Sequence, residues 1–478
     1  MGSHSEAASA APNTDLAFDF ARFACGLTID TLPPQAIAAV KANLLDTLAC
    51  AVAGSSAPGV GEVRALVTRW GGAPEASALV FGDRMPAHHA AWLNGTMAHA
   101  RDYDDTHDAA VLHAGVSVIP AALAAAELRG RVSGPELLVG IAAGLETICR
   151  LGVATRLPVI DSGFIYTGLL GHFGATVAAA RVLGLDPAQT VNALGIDYSM
   201  VAGNHQVTRD AALTKRMQPG FSAMSALIAA QLAQLGIRGA QATFEGIDGF
   251  FRVYLRDQVD RQHVRAGLGT YFELTQLSYK PYPCCRFNHT AIEAALHLRE
   301  SLAAPIEAIR EIRVGLNHQA FQAVCTPEDI RRSPKTIVQA QFSIPYTVAA
   351  ALIDGRIGLG HFTDRLAERL DIIALAHKVK PRVDADIEAQ YGRNISPAAI
   401  DIELNDGRVV SERIDVPLGH PEHPMTALDF SQKASDCFAA SARALDGQAL
   451  ERLRSQIDHL HSMPDASKLA RFHEAKVG

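Results

Sequence analysis

The chain has 478 residues, of which 48% are hydrophobic and 19% charged, with a formal net charge of −7. That balance excludes a disordered chain and suits a folded protein of about two domains. The acidic surplus offers no electrostatic footprint for nucleic acid, and the short basic run Arg331-Arg332 with Lys335 suits a solvated face or an anionic ligand.

Residues 1–15 read as flexible. They are rich in Ser and Ala, contain acids, and lack the basic-then-apolar order of a secretory signal. From Pro33 to Ala53 the apolar residues Ile37, Val40, Leu44, Leu45 and Leu48 recur every three or four positions. This is a helix opened by Pro33-Pro34, where a missing N–H costs nothing, and ended by Gly54-Ser55-Ser56. Alanine-rich helical patterns follow at 60–70, 86–100, 116–129, 135–151, 168–183, 187–202 and 219–235. Alanine at this density allows close helix approach at little entropic cost. The apolar stretch 116–128 is shorter than the roughly 20 residues of a membrane span. A cytoplasmic protein with no membrane or nucleic-acid partner is the expectation.

Beyond about residue 270 the period changes. Ile312, Val314 and Leu316 alternate, as do Ile402 and Leu404. Asn405-Asp406-Gly407 is a turn, and Val409-Val410, Ile414 and Val416 complete a hairpin. Helices are predicted at about 288–300, 345–353 and 362–376, and after Pro421 and Pro424 at 429–439 and 446–461. The fold class is therefore mainly α: a large helical domain from 16–271 and 422–478, with a smaller α+β lid at 272–421. No GxGxxG follows a strand and there is no Walker loop, so nucleotide and flavin use are not expected. Seven cysteines without a Cys-x-x-Cys pair form neither a disulfide framework nor a zinc knuckle.

One segment stands out chemically. Asp102-Tyr103-Asp104-Asp105-Thr106-His107, followed by His113, interrupts an apolar, alanine-rich stretch. Unpaired charges are expensive to bury, so a polar active-site loop is the better reading than turn and capping residues alone. His99 closes the preceding helix, as a core or a functional residue. His107 and His113 fall near the start of the next helix, where free amides favour a substrate carboxylate and a neutral-range imidazole suits proton transfer. A divalent ion is the weaker reading, because no defined ligand spacing such as His-Glu-x-x-His occurs.

Three further loops carry polar groups. Lys215 precedes a long apolar helix, at the dipole end less favourable to a cation, which hints at an anionic partner. Gly163 to Gly168 presents the Tyr166 and Thr167 hydroxyls, and Lys280 to Arg286 is followed by His289. Cys284 or Cys285 as a nucleophile has little support, since small buried cysteines are common core fillers.

The runs Asn94-Gly95, Ala98-His99-Ala100, Asp102 to His107, His113 and Pro120 to Leu123 resemble the signature of the MmgE/PrpD family. The resemblance continues through Thr167-Gly168, Gly171 to Gly174, Thr214-Lys215, Phe244 to Gly246 and Gly249-Phe250. It then covers Lys280 to Cys285 with His289, Gln341 to Tyr346, and Gly419 to Pro424, nearly the whole chain in order. That family includes 2-methylcitrate dehydratase, cis-aconitate decarboxylase and iminodisuccinate epimerase. The resemblance implies a helical domain built from both chain ends plus an α+β lid, a homodimer, and no metal or organic cofactor. It also implies proton movement next to a carboxylate of a small di- or tricarboxylate.

Carried over by position, the motif residues are Asp102, Thr106, His113 and Lys215. The chain departs from the pattern at Ile165-Tyr166, where much of the family has His-Pro with a catalytic histidine, and at Gln218, where many members have histidine. Tyr166, His172 or His107 are the candidates to replace the missing imidazole. The resulting expectation is a cofactor-independent lyase that dehydrates a hydroxy-polycarboxylate. His113 would exchange the α-proton, Asp102 would support it, and Tyr166 or His107 would assist the leaving hydroxyl. Lys215 and Arg216 would hold substrate carboxylates, with Thr167, Lys280 and His289 in the binding set. Decarboxylation, epimerisation, and a non-catalytic binding role are the alternatives.

Overall fold

The computed structural model describes residues 14–391 and 397–474. Most of the lead-in expected to be flexible, 1–13, lies outside them. Asp15 does not fit that expectation. It is buried, caps helix α1 (Leu16–Gly26) by accepting from the Ala17 amide at 2.9 Å, and takes the Glu245 amide at 2.7 Å.

The first lobe is helical. After α1 come α2 (Pro34–Gly54), α3 (Val60–Trp70), α4 (Ala87–His99), the short strand β1 (Thr106–His107), α5 (Gly115–Arg129) and α6 (Gly134–Ala154). Then follow α7 (Tyr166–Leu183), α8 (Pro187–Tyr198) and α9 (Gln218–Gln234), with α5, α6 and α9 all packed on α7. Small residues permit this density: a Cβ on Gly95 would fall 2.8 Å from the Gly220 Cα, so α4 and α9 meet backbone to backbone. That contact brings the turn just before α9, which bears Lys215, up to the His99 end of α4. Helices α2 and α6 are long and apolar enough to cross a membrane, yet 67% and 94% of their apolar windows are buried inside the fold.

Strand β2 (Leu277–Ser278) pairs antiparallel with β1, Thr106 opposite Ser278. A second core begins at Tyr282 and runs to Leu404, whereas Phe272, Leu274 and Leu277 belong to the first. The division between lobes thus falls at 278–281, slightly beyond the expected residue 272. In the second lobe, helices α10 (His289–Ser301) and α11 (Ile344–Asp354) pack on a four-stranded sheet. Its strands are β3 (Ile309–Leu316), β4 (Val379–Val383), β5 (Ala398–Leu404) and β6 (Val409–Ile414), in the order β4-β3-β5-β6. The pairing of Ile312 with both Val379 (parallel) and Ile402 (antiparallel) makes β3 central. The helix expected at 362–376 shortens to Leu370–Ala376, preceded by single 3₁₀ turns.

The chain then returns to the first lobe. Helices α12 (Ala427–Ala439) and α13 (Ala449–Asp458) pack on α2, and Leu453, Ile457, Leu460 and Phe472 join the first core. Buried Lys433 of α12 sits 2.5 Å from Asp46 and donates to the Tyr103 carbonyl at 2.7 Å, so this returning helix grips the acidic loop.

Candidate active site

The loop after α4 turns sharply at Asp102, whose φ of 53° is left-handed, a conformation Asp tolerates better than most residues. The β1–β2 pairing then holds Thr106. Asp105 accepts from the amides of Ala114 and Gly115 at 2.9 and 3.0 Å. It thereby satisfies the first free N–H groups of α5. This corrects the expectation that those amides receive a substrate carboxylate: the protein's own carboxylate occupies them. Burial, reinforced by neighbouring Asp104, pushes the Asp105 carboxyl up to about 7.

Asp104 organises the histidines. One of its oxygens lies 2.9 Å from His99 Nδ1 and 3.1 Å from His113 Nδ1. His113 Nδ1 is also 2.5 Å from the Asp105 carbonyl. Surrounded by acceptors, both Nδ1 atoms carry the proton, and both Nε2 atoms are left as bases. Burial drives the His113 pKa down to about 3, with Lys280 and His99 adding to the effect and Asp104 opposing it. His113 is therefore an unprotonated acceptor near neutrality. Burial alone would raise Asp104, but the two imidazoles hold it below the usual carboxylate range.

Lys215 completes the circuit. Its Nζ lies 3.0 Å from His99 Nε2, donates to Asp102 at 2.9 Å, and stands 5.1 Å from the centre of the Phe342 ring. Lys280 donates to the other Asp102 oxygen at 2.6 Å and to the Asp102 carbonyl at 2.9 Å. Burial would raise Asp102, but the two ammonium groups pull it well below its ordinary value. Asp102 is thus a fixed anion that positions a lysine.

These groups face a cavity of about 110 Å³ between the lobes. The first lobe contributes Asp102, Thr106, His113, Thr167, His205 and Lys215, and the second Cys285, Arg286 and Phe342. The rest of the wall is mostly apolar, with Val111, Val159, Ile165 and Ala323. Val111 holds a φ of 54°, a costly backbone for a β-branched residue. Such a volume admits only a small ligand.

Several expected site residues are placed elsewhere. The Tyr166 hydroxyl is buried and donates to the Leu157 carbonyl, because Tyr166 begins α7 with its ring turned into the first core. His107 is buried on β1, its ring 3.6 Å from the Glu273 carboxylate. His172 is buried between Ser225 and Asp197. Arg216 is buried and donates to the Pro58 carbonyl. His289 is buried against Cys284 and Arg286. Lys280 is fully buried behind Asp102 and reaches the cavity only through it. Thr167 lines the cavity and accepts from the His113 amide at 3.0 Å. Thr106 stands 3.4 Å from His113 Nδ1.

Asp104, His205, Arg286 and Phe342 are the residues that sequence reasoning left out of the site. Asp104 stood inside the acidic run, whereas nothing around His205 marks it. Burial first, and Asp102 next, raise the Cys285 thiol to about 11, so it is no nucleophile near neutrality. His99, Asp104 and His113 could hold a metal ion by proximity. Their ligand atoms already bond one another, and the Lys215 ammonium beside His99 repels a second cation.

Fold and site together define a class: a mainly helical, two-lobed protein whose interlobe cavity joins a lysine and a histidine through buried carboxylates. The chain matches the MmgE/PrpD N-terminal domain over residues 18–262 and the MmgE/PrpD C-terminal domain over 282–458, and it belongs to that family. It is 28% identical over 425 residues to a cis-aconitate decarboxylase of Aspergillus terreus, covering 84% of this chain and 85% of that protein. It is 27% identical over 465 residues to the cis-aconitate decarboxylase of Homo sapiens, covering 94% and 92%. With 2-methylcitrate dehydratase of Escherichia coli the identity is 24% over 262 residues, 53% of each chain. Lyase- or dehydratase-type chemistry on a carboxylate substrate is the family-level function.

Proposed function

We propose that the protein is a lyase that dehydrates a small hydroxy di- or tricarboxylate by removing a proton next to a carboxylate. The observation that carries this reading is the neutral His113, held by Asp104 as an acceptor, in the same small cavity as Lys215. Lys215 binds the carboxylate flanking the acidic carbon and stabilises the negative charge that develops as the proton leaves. A bound polycarboxylate also brings negative charge near His113 and raises its proton affinity in the complex. Thr167 fixes the His113 backbone, and Asp102 keeps the lysine in place. Arg286, paired with Asp108 at 3.0 Å, supplies a second cation at the cavity wall.

A second reading is favoured by the relatives matched over most of their length, which are cis-aconitate decarboxylases, and by the apolar wall around Ile165, where a desolvated carboxylate is destabilised. One experiment separates the two. The protein is incubated in deuterated buffer with 2-methylcitrate, citrate and cis-aconitate, while alkene formation, carbon dioxide release and deuterium incorporation are followed. Alkene from a hydroxy acid, lost in His113→Ala, supports dehydration. Carbon dioxide from cis-aconitate supports decarboxylation, and no change in any of the three acids overturns both.

A further inference from the structure

The proposed dehydration needs a proton for the departing hydroxyl, and Ile165 cannot give one. Tyr166 and His172 are hydrogen-bonded in the protein interior, His107 is buried 3.6 Å from Glu273, and none of the three lines the cavity. One other imidazole among the described residues lines the cavity beside His113: that of His205.

His205 is held in a particular way. Its backbone N–H donates to the Gly163 carbonyl at 2.8 Å, which ties it to the loop that carries Ile165. Both residues line the cavity. The ring Nδ1 is buried and has no hydrogen-bond partner among the described residues, an expensive state for a polar atom unless something arrives to meet it. His205 also lines a second, larger hollow of about 600 Å³ next to the cavity, shared with Asp161, Arg209, His318 and Arg331. The imidazole therefore lines both the inner cavity and an outer, polar vestibule, through which it can exchange protons with solvent.

We propose that His205 is the second acid–base group of this site, delivering the proton to the leaving hydroxyl and so taking over the task that Ile165 cannot perform. The proposal rests on the dehydration reading. In the step, His113 takes the α-proton through Nε2 and leaves the electron pair of that C–H bond on the substrate as a carboxylate-stabilised enediolate, and that pair then forms the new C=C bond. The neighbouring C–O bond breaks, and its oxygen leaves as water with the proton from His205. His113 then releases its proton and His205 recovers one from solvent through the vestibule, so the cycle closes with no other reagent. Burial, then Arg209 and Lys215, lower the His205 pKa to about 4. A bound polycarboxylate offsets both cations and lets the ring charge when it is needed.

The test uses the full chain with His205→Ala and with His205→Ala combined with Ile165→His. Two readouts are followed: alkene formation, and exchange of the substrate α-hydrogen with deuterated solvent, which His113 performs alone. In His205→Ala, alkene formation falls by about 100-fold, the low end of general acid catalysis, while exchange stays within about threefold. The double variant regains about tenfold or more of the lost rate, because an imidazole returns to the cavity. Alkene formation within threefold of the parent in His205→Ala overturns the proposal, as does an equal fall in both readouts. If the parent forms no alkene from any acid, the dehydration reading fails separately, and ring NMR with citrate as the probe decides His205. A citrate-dependent shift of its signal, abolished by Lys215→Met, upholds its place at the ligand; an unmoved signal removes it.

Discussion

At the scale of single residues, Asp104 and Lys215 make contrasting demands on the site. Asp104 is fully buried and lies outside the cavity wall, so it acts through the two imidazoles it holds at 2.9 and 3.1 Å. In Asp104→Asn a single amide oxygen can still meet both Nδ1 atoms, as one carboxylate oxygen does now, but the charge that orients both rings is gone. Turnover is expected to fall about tenfold to 100-fold with KM within about threefold, because only the base loses its orientation. Lys215 meets the cavity itself, so Lys215→Met should raise KM as well as lower kcat. Steady-state kinetics on the accepted acid check both. A large KM rise in Asp104→Asn with kcat intact would show that it shapes binding instead. Why the sequence marked Asp104 only as part of a cluster is plain: three aspartates in four positions look alike. Packing alone divides them into an anchor for lysines, a clamp for histidines and a helix cap.

The same division between local and distant information appears among the elements. Periodic apolar residues and flanking Gly or Pro made α2, α3, α5, α6 and α9 legible to within a few residues. Strand β4 was not legible, since Val379 to Val383 contains Pro381, and its place at the sheet edge is what tolerates a missing N–H. The acidic loop was legible because burying carboxylates is costly enough to require a purpose. His205 and Lys433 were not, because their partners lie far away in the chain. Lys433 brings a test of its own. It joins α12 to Asp46 at 2.5 Å and to the Tyr103 carbonyl, 330 residues away in sequence, with all three groups buried. Lys433→Met strands the Asp46 carboxylate without its cation and should cost about 3–5 kcal/mol. Adding Asp46→Asn should recover part of that loss by removing the stranded charge. Urea unfolding of the three proteins reads this directly, and a single-variant loss below about 1 kcal/mol would mean that α12 does not clamp the loop.

For the molecule as a whole, these buried groups set a pH dependence of stability. Among the described residues, His88, His89, His99, His113, His205, His289, His420 and His473 all have pKa values lowered by burial from 6.5. As pH drops below 6.5 the unfolded chain binds protons that the folded histidines refuse, so stability is lost on acidification. For His205 this loss runs down to about 4 and for His113 to about 3. Four carboxyls, Asp15, Asp46, Asp105 and Glu146, are raised by burial and work in the opposite direction. Above the unfolded carboxyl value they hold a proton that the unfolded chain releases, so acidification from about 7 restores part of the stability through Asp105. His113 and His205, lowered furthest, set the direction of the sum, and the strongly lowered Asp102 and Asp104 add their loss only below the ordinary carboxylate range. Tm should therefore fall by about 5 °C or more between pH 6.5 and about pH 4.5. Asp105→Asn should steepen that decline, because it removes an opposing group without removing a histidine. Thermal unfolding across this interval checks both statements. A flat or rising Tm would show that the raised carboxyls, Asp105 first among them, offset the histidines, and would overturn the predicted decline.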